Sequence, residues 1–163
     1  MVAAFPSFTR LSIDQIIYDR HGSYTVNYAP ERYDEYQTEA DEVYDTLCQQ
    51  LLREGRDIVL DRSFYVEEDR DEFKNKIEQA RAKWVLAYFK VEKNVLWERL
   101  CERRSRGVNA DSALEISEEL LAAYVKGSEV AVGEGATVIE VQKRKCINFH
   151  VWVVRSGTPL IAD

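Results

Sequence analysis

Four short apolar runs punctuate the chain: Thr9 to Ser12, Ile58 to Asp61, Trp84 to Lys90 and Thr137 to Val141. Between them, apolar residues recur at helical rather than alternating spacing. Tyr36, Ala40, Val43, Tyr44, Leu47 and Leu51 share one face of a helix that Gly55 stops. Phe73, Ile77 and Ala80 keep the same period, and the charges between them occupy the wet face. Further on, Ser117 precedes Glu118 and Glu119, with Ile116 and Leu121 placed as a hydrophobic staple and Gly127 at the far end, which predicts a short capped helix. Arg20 to Pro30, with Gly22, Asn27 and Pro30, predicts a loop or flap. Apolar runs alternating with amphipathic helices predict an α/β fold, a three-layer parallel sheet with helices on its faces.

Composition narrows the class. With 163 residues and 45% hydrophobic content, the chain can bury one substantial core. Its formal net charge of -7 opposes non-specific attraction to phosphate backbones, so a nucleic-acid partner is not expected without a local basic patch. Cys48, Cys101 and Cys146 are widely spaced and odd in number, the pattern of free thiols in a reducing compartment rather than of metal ligands. Val2 to Phe5 is too short for a signal-peptide core, and no run approaches the roughly 20 apolar residues of a membrane span. A cytoplasmic protein with no membrane partner is expected.

Ligands of open parallel sheets bind outside the carboxyl ends of the strands, so polar residues that end apolar runs are the first candidates. Asp61 ends Ile58-Val59-Leu60. It is placed either as a carboxylate holding magnesium through water or as a helix N-cap. Asp14 follows Arg10-Leu11-Ser12-Ile13 and precedes Ile16 and Ile17, where it is either a cap or a base for a substrate hydroxyl. The helix holding Leu96 and Leu100 ends in Arg99, Arg103, Arg104 and Arg106 before Gly107. Some of these cations answer the helix dipole, but four guanidinium groups exceed what capping needs, and the bidentate fork suits a transferring phosphoryl group. A hydrolase is poorly supported: there is no G-x-S-x-G elbow, and only His21 and His150 could act as triad base.

In order, Arg10-Leu-Ser-Ile-Asp14, Gly55-Arg-Asp-Ile-Val-Leu-Asp-Arg-Ser-Phe64, Trp84-Val-Leu-Ala-Tyr and Leu96-Trp-Glu-Arg-Leu-Cys-Glu-Arg-Arg-Ser-Arg-Gly107 resemble the AAA-type P-loop kinase-like family. That family includes chloramphenicol phosphotransferase, the zeta toxins and the kinase half of polynucleotide kinases. The resemblance runs from about Thr9 to Val141. It implies an ATP- and magnesium-dependent phosphotransferase acting on a small-molecule or nucleotide hydroxyl. Asp14 falls on the catalytic carboxylate, Asp61 on the cofactor- and metal-binding acid of the next strand, and Arg99, Arg103, Arg104 and Arg106 on the lid. His21 to Tyr36 would form a flap over the substrate, with Arg62 and Arg70 as further candidates.

The family's opening strand, its G-x-x-x-x-G-K-[ST] loop and the helix after it form a unit of roughly 30 residues. None of the seven glycines is followed by Lys-Ser or Lys-Thr. A truncated kinase-like domain over 1–141, lacking first strand and P-loop and inactive in this form, is therefore expected. The alternative is a catalytically silent remnant that binds a ligand or a protein. Residues 142–163 depart from the family. Ile147, Phe149, Val151 and Val153 alternate with Asn148, His150 and Trp152, which marks the first set as the apolar face. The favoured reading is a frayed, non-native tail; the other is an extra strand, which could pair in the central gap that the resemblance leaves between the strands of Asp61 and Trp84.

Overall fold

Each of the four apolar runs forms a strand, and the helical spacings between them form helices. The computed structural model describes residues 7–131, 133–140 and 150–155. In chain order the elements are β1 (Thr9–Ser12), α1 (Ile13–His21), α2 (Tyr33–Arg53), β2 (Ile58–Asp61), α3 (Glu67–Gln79), β3 (Lys83–Lys90), α4 (Lys93–Ser105), α5 (Glu118–Gly127), β4 (Thr137–Glu140) and β5 (His150–Arg155). Two 3-10 turns, Pro30–Arg32 and Ala110–Ser112, precede α2 and α5. The helix stops fall where glycine permits them: Gly22, Gly55 and Gly107 all have positive φ. At Gly22 the requirement is also steric, because a Cβ would come within 2.4 Å of Asn27 Oδ1. No helix of the described residues is long and apolar enough to cross a membrane.

The sheet order is β1-β2-β5-β3-β4. β1 pairs with β2 in parallel, as does β3 with β4, but β5 is antiparallel to both β2 and β3. The sheet is thus mixed, which corrects the expectation of a purely parallel one. The cause is the point of entry. Glu140 ends β4 opposite Lys90, and His150 opens β5 opposite Tyr88, so the chain re-enters the sheet at the carboxyl edge and has to run back.

β5 lies within the segment favoured as a frayed tail, yet it occupies the middle of the sheet. Trp152 stands opposite both Leu60 and Leu86, and Val154 opposite both Ile58 and Trp84. Trp152 is 1% exposed and Val154 0%, whereas Val153 is only half-buried. The face packed into the core is therefore the one carrying Trp152, the reverse of the face that the Val151 and Val153 alternation marks. Tryptophan brings more apolar area than valine, and area rather than alternation decides which side packs. Val141, Lys143 to Lys145, Cys146, Ile147 to Phe149 and the stretch after Arg155 lie outside the described residues.

Leu11, Ile58, Leu60, Leu86, Trp152 and Val154 form one sheet face, covered by Tyr44 and Cys48 of α2 and Phe73 and Ile77 of α3. A run of edge-on and steeply tilted rings crosses this core: Trp84 to Trp152 at 4.8 Å, Trp152 to Phe64 at 6.4 Å, Phe64 to Phe73 at 5.1 Å and Phe73 to Tyr44 at 5.9 Å. Each such pair contributes about 0.5–1.5 kcal/mol beyond its buried area. On the opposite face Val59 is buried, but Val85 is 49% and Ile139 38% exposed. Ala87, on that same face, is also buried, while the main hydrophobic cluster of the described residues lies on the Trp152 side of the sheet.

Arg70 belongs to this core. At 1% exposure it donates from Nε and Nη2 to Glu134 at 2.7 and 2.8 Å and from Nη1 to the Phe64 carbonyl at 3.0 Å. Arg62 lies 3.0 Å from Asp41 and over the rings of Tyr44 and Phe73. Both arginines serve packing. Cys48 is buried, its thiol pushed up to about 11 by desolvation, and Cys101 is exposed.

Candidate functional site

Parallel pairing of β1 and β2 sets Ser12 beside Asp61, so the residues that follow β1 and those that end β2 meet at one edge. Ser12 is extended (φ -133°, ψ 129°), and its Oγ accepts from the Gln15 N–H at 3.4 Å. Ser12 is thus the N-cap of α1. Asp14 sits in the first turn instead, where the helix dipole favours a carboxylate. Nor is Asp61 a cap: α3 starts only at Glu67, whose N–H donates to Glu129 at 2.6 Å. Asp61 accepts from Arg10 Nε at 2.6 Å, and Arg10 Nη2 reaches Asp111 Oδ1 at 2.5 Å. Arg10 therefore ties the ends of β1 and β2 to the turn before α5.

Asp14 has no hydrogen-bond or ion-pair partner among the described residues. Its pKa is raised from 3.8 to about 6, first by desolvation and then by the charges of Asp61 and Asp111, against the opposing pull of Arg10 and Arg103. The residue as a whole is nevertheless exposed. Its carboxyl stands in a crowded recess with one side open to water, so solvent tempers the shift. The recess is a narrow cleft of about 10 Å³ lined by Asp14, Ile17, Tyr28, Tyr33, Ala110, Ala113 and Leu114. That is space for roughly one water molecule.

The flap expected over the site supplies the aromatic wall. Tyr24 meets Tyr28 and Tyr33 edge-on at 6.0 and 5.6 Å, and Tyr28 meets Tyr36 at 5.0 Å. His21 stacks on Tyr36 at 3.6 Å and shares a 3.0 Å hydrogen bond with Glu39. This loop holds its shape through the Ser23 N–H, which donates to Asn27 Oδ1 at 2.8 Å. Desolvation, with the Asp14 charge as a lesser cause, raises the pKa of Tyr28, Tyr33 and Tyr124. Their hydroxyls stay protonated at neutral pH.

Of the four arginines in and just after α4 proposed for a lid, Arg103 shares the surroundings of Asp14, its Nη1 donating to the Asp111 carbonyl at 2.8 Å. Arg104 pairs with Glu115 at 2.9 Å and Arg106 with Glu102 at 2.5 Å, both at the surface. Arg99 has a buried Nη1. The geometry thus brings Asp14, Asp61 and Arg103 together and directs Arg104 and Arg106 elsewhere. Arg10 and Asp111, which complete the cluster, escape the sequence reading. Only the β1–β2 register and the fold of the turn at Ala110–Ser112 bring them in.

Asp61 is engaged by Arg10, and among the described residues no three of His, Cys, Asp and Glu converge as a ligand set. A larger trough of about 800 Å³ lined by Val66, Glu67, Glu68, Asp71, Glu72, Asn75 and Glu129 shares no residue with the Asp14 cleft. Its carboxylates would repel a phosphate.

A strand pair with carboxylates at its carboxyl edge, followed by an arginine-bearing helix, is now placed in space, and the family model described as AAA domain matches residues 1–129. The chain belongs to the AAA domain family. No curated protein and no solved structure matches it. The matched part of this AAA domain ends before β4, so the strand filling the centre of its sheet lies outside the family match.

Proposed function

We propose that this AAA domain is a kinase-type fold that binds a small molecule at the Asp14 cleft and does not itself transfer a phosphoryl group. The observation that carries this reading is β5. In the kinases that the sequence resembles, the slot between β2 and β3 holds a parallel strand whose carboxyl end opens into the phosphate-cradling loop. Here the slot holds an antiparallel strand that begins at that edge. These 163 residues contain no G-x-x-x-x-G-K-[ST]. Among the described residues, the backbone donors, the lysine and the hydroxyl that would grip a triphosphate have no counterpart beside Asp61.

Phosphoryl transfer is almost entirely positioning and charge stabilisation, and a single arginine finger is worth roughly a thousandfold or more. Arg103, held to a backbone carbonyl, does not replace a whole cradle. Calorimetric titration of the purified chain with magnesium ATP is expected to give no saturable heat. Micromolar one-site binding would overturn the reading.

One observation favours a second reading, an active phosphotransferase on a small-molecule or nucleotide hydroxyl. Desolvation raises the pKa of the Asp14 carboxyl to about 6, the direction that suits a general base. Its carboxylate would take the hydroxyl proton while Arg103 faced the developing negative charge. Transfer of radiolabelled γ-phosphate from ATP to any member of a hydroxyl panel would establish it.

A further inference from the structure

We infer that the Asp14 cleft receives a primary ammonium group, so that the ligand of this domain is a small organic amine. The inference rests on the small-molecule-binding reading above and names the chemistry of that ligand.

The first support is the unpaired carboxylate. The arginines around Asp14 are already committed: Arg10 to Asp61 and Asp111, and Arg103 to the Asp111 carbonyl. Neither donates to Asp14. A crowded carboxylate with no donor leaves strong acceptor sites for a ligand to fill.

The second is the sign of the local charge. Asp14, Asp61 and Asp111 stand against Arg10 and Arg103, which leaves one negative charge uncompensated at the cleft. A neutral hydroxyl would give Asp14 a hydrogen bond and leave that charge in place. An ammonium group supplies both the donor and the missing positive charge.

The third is the lining and the size. Two tyrosines, Tyr28 and Tyr33, flank the carboxylate. Aromatic rings beside a carboxylate attract an organic cation through the ring quadrupole as well as through charge. The cleft of about 10 Å³ admits one water-sized group. A primary ammonium head has that size; a trimethylammonium head does not. The carbon chain of the amine would leave through the open side of the recess, along which Asp14 is exposed.

The test is calorimetric and NMR titration of the full chain at neutral pH and low salt with three probes: ethanolamine, its neutral isostere ethylene glycol, and choline. Ethanolamine is expected to bind at one site about tenfold or more tighter than either of the others, the effect of one charge-assisted hydrogen bond. Asp14→Asn is expected to abolish the preference, and Asp14→Ala, checked by its melting curve, should do the same. Glu68→Gln in the acidic trough controls for general attraction of cations to an acidic protein and should change nothing. Equal binding of ethanolamine and ethylene glycol, insensitivity to both Asp14 variants, or no binding would each overturn the inference. Magnesium ATP titrated into the same samples separates the two conclusions. ATP binding alone defeats the silent-kinase reading, whereas a missing amine preference with no ATP binding defeats only the ammonium.

Discussion

Leu60 and Trp152 stand opposite one another in the β2–β5 ladder, at 0% and 1% exposure. Because Trp152 also faces Leu86, a single side chain near the carboxyl end joins the two halves of the sheet. Its ring touches both Trp84 and Phe64.

Trp152→Ala is accordingly expected to cost about 3–5 kcal/mol, the range for truncating a fully buried large aromatic. Urea unfolding monitored by circular dichroism measures it. Deletion from Lys143 onward should be worse, leaving β2 and β3 with unpaired inner edges and lowering solubility. A cost under about 0.5 kcal/mol for Trp152→Ala would mean that β5 is an appendage.

How much of this was legible beforehand depends on whether the signal is local. The β1, β2 and β4 runs and the helix stops at Gly55 and Gly107 announce themselves through apolar continuity and backbone freedom, and the structure places elements there within a residue or two. The placement of β5 depends on what fills a gap between two other strands, which no window of sequence contains. Its alternation also points to the wrong face, because Val151 and Val153 outnumber Trp152 without outweighing it. The Asp14 and Asp61 edge follows from parallel topology and so is legible. The bridge through Arg10 to Asp111 is a contact 101 residues apart in sequence and could be found only in the fold.

Glu134 is the counterion of a guanidinium that solvent barely touches. Glu134→Ala leaves Arg70 charged and buried, and a loss of about 3–5 kcal/mol is expected. The double variant Arg70→Met, Glu134→Leu removes both charges and should recover most of that loss, since a packed apolar pair often equals or exceeds a buried ion pair. Equal destabilisation of the single and double variants would show that the cost comes from the Gly133-Glu134-Gly135 turn rather than from the charge.

Asp14 should make the folded state less stable as the medium turns from acid to neutral. In the unfolded chain the carboxyl ionises near 3.8, and in the fold near 6. Between those values the native state binds more protons than the unfolded one, so the stability contributed by this group falls as pH rises through that window. It is fully present below about 4 and lost above about 6. For a sealed group a difference of that size would amount to about 3 kcal/mol. Asp14 is open to water on one side and sits in the first turn of α1, where the dipole returns part of the penalty, so the net effect is expected on the order of 1 kcal/mol. Asp14→Asn cannot ionise and should erase this dependence. Urea melts of both proteins at pH 4.5 and pH 7.5 therefore have a signed expectation: the variant gains on the parent by on the order of 1 kcal/mol at the higher pH and by much less at the lower. An advantage that shrank on going to pH 7.5 would mean that a protein donor stabilises the Asp14 carboxylate, which would remove the vacancy on which ammonium binding depends.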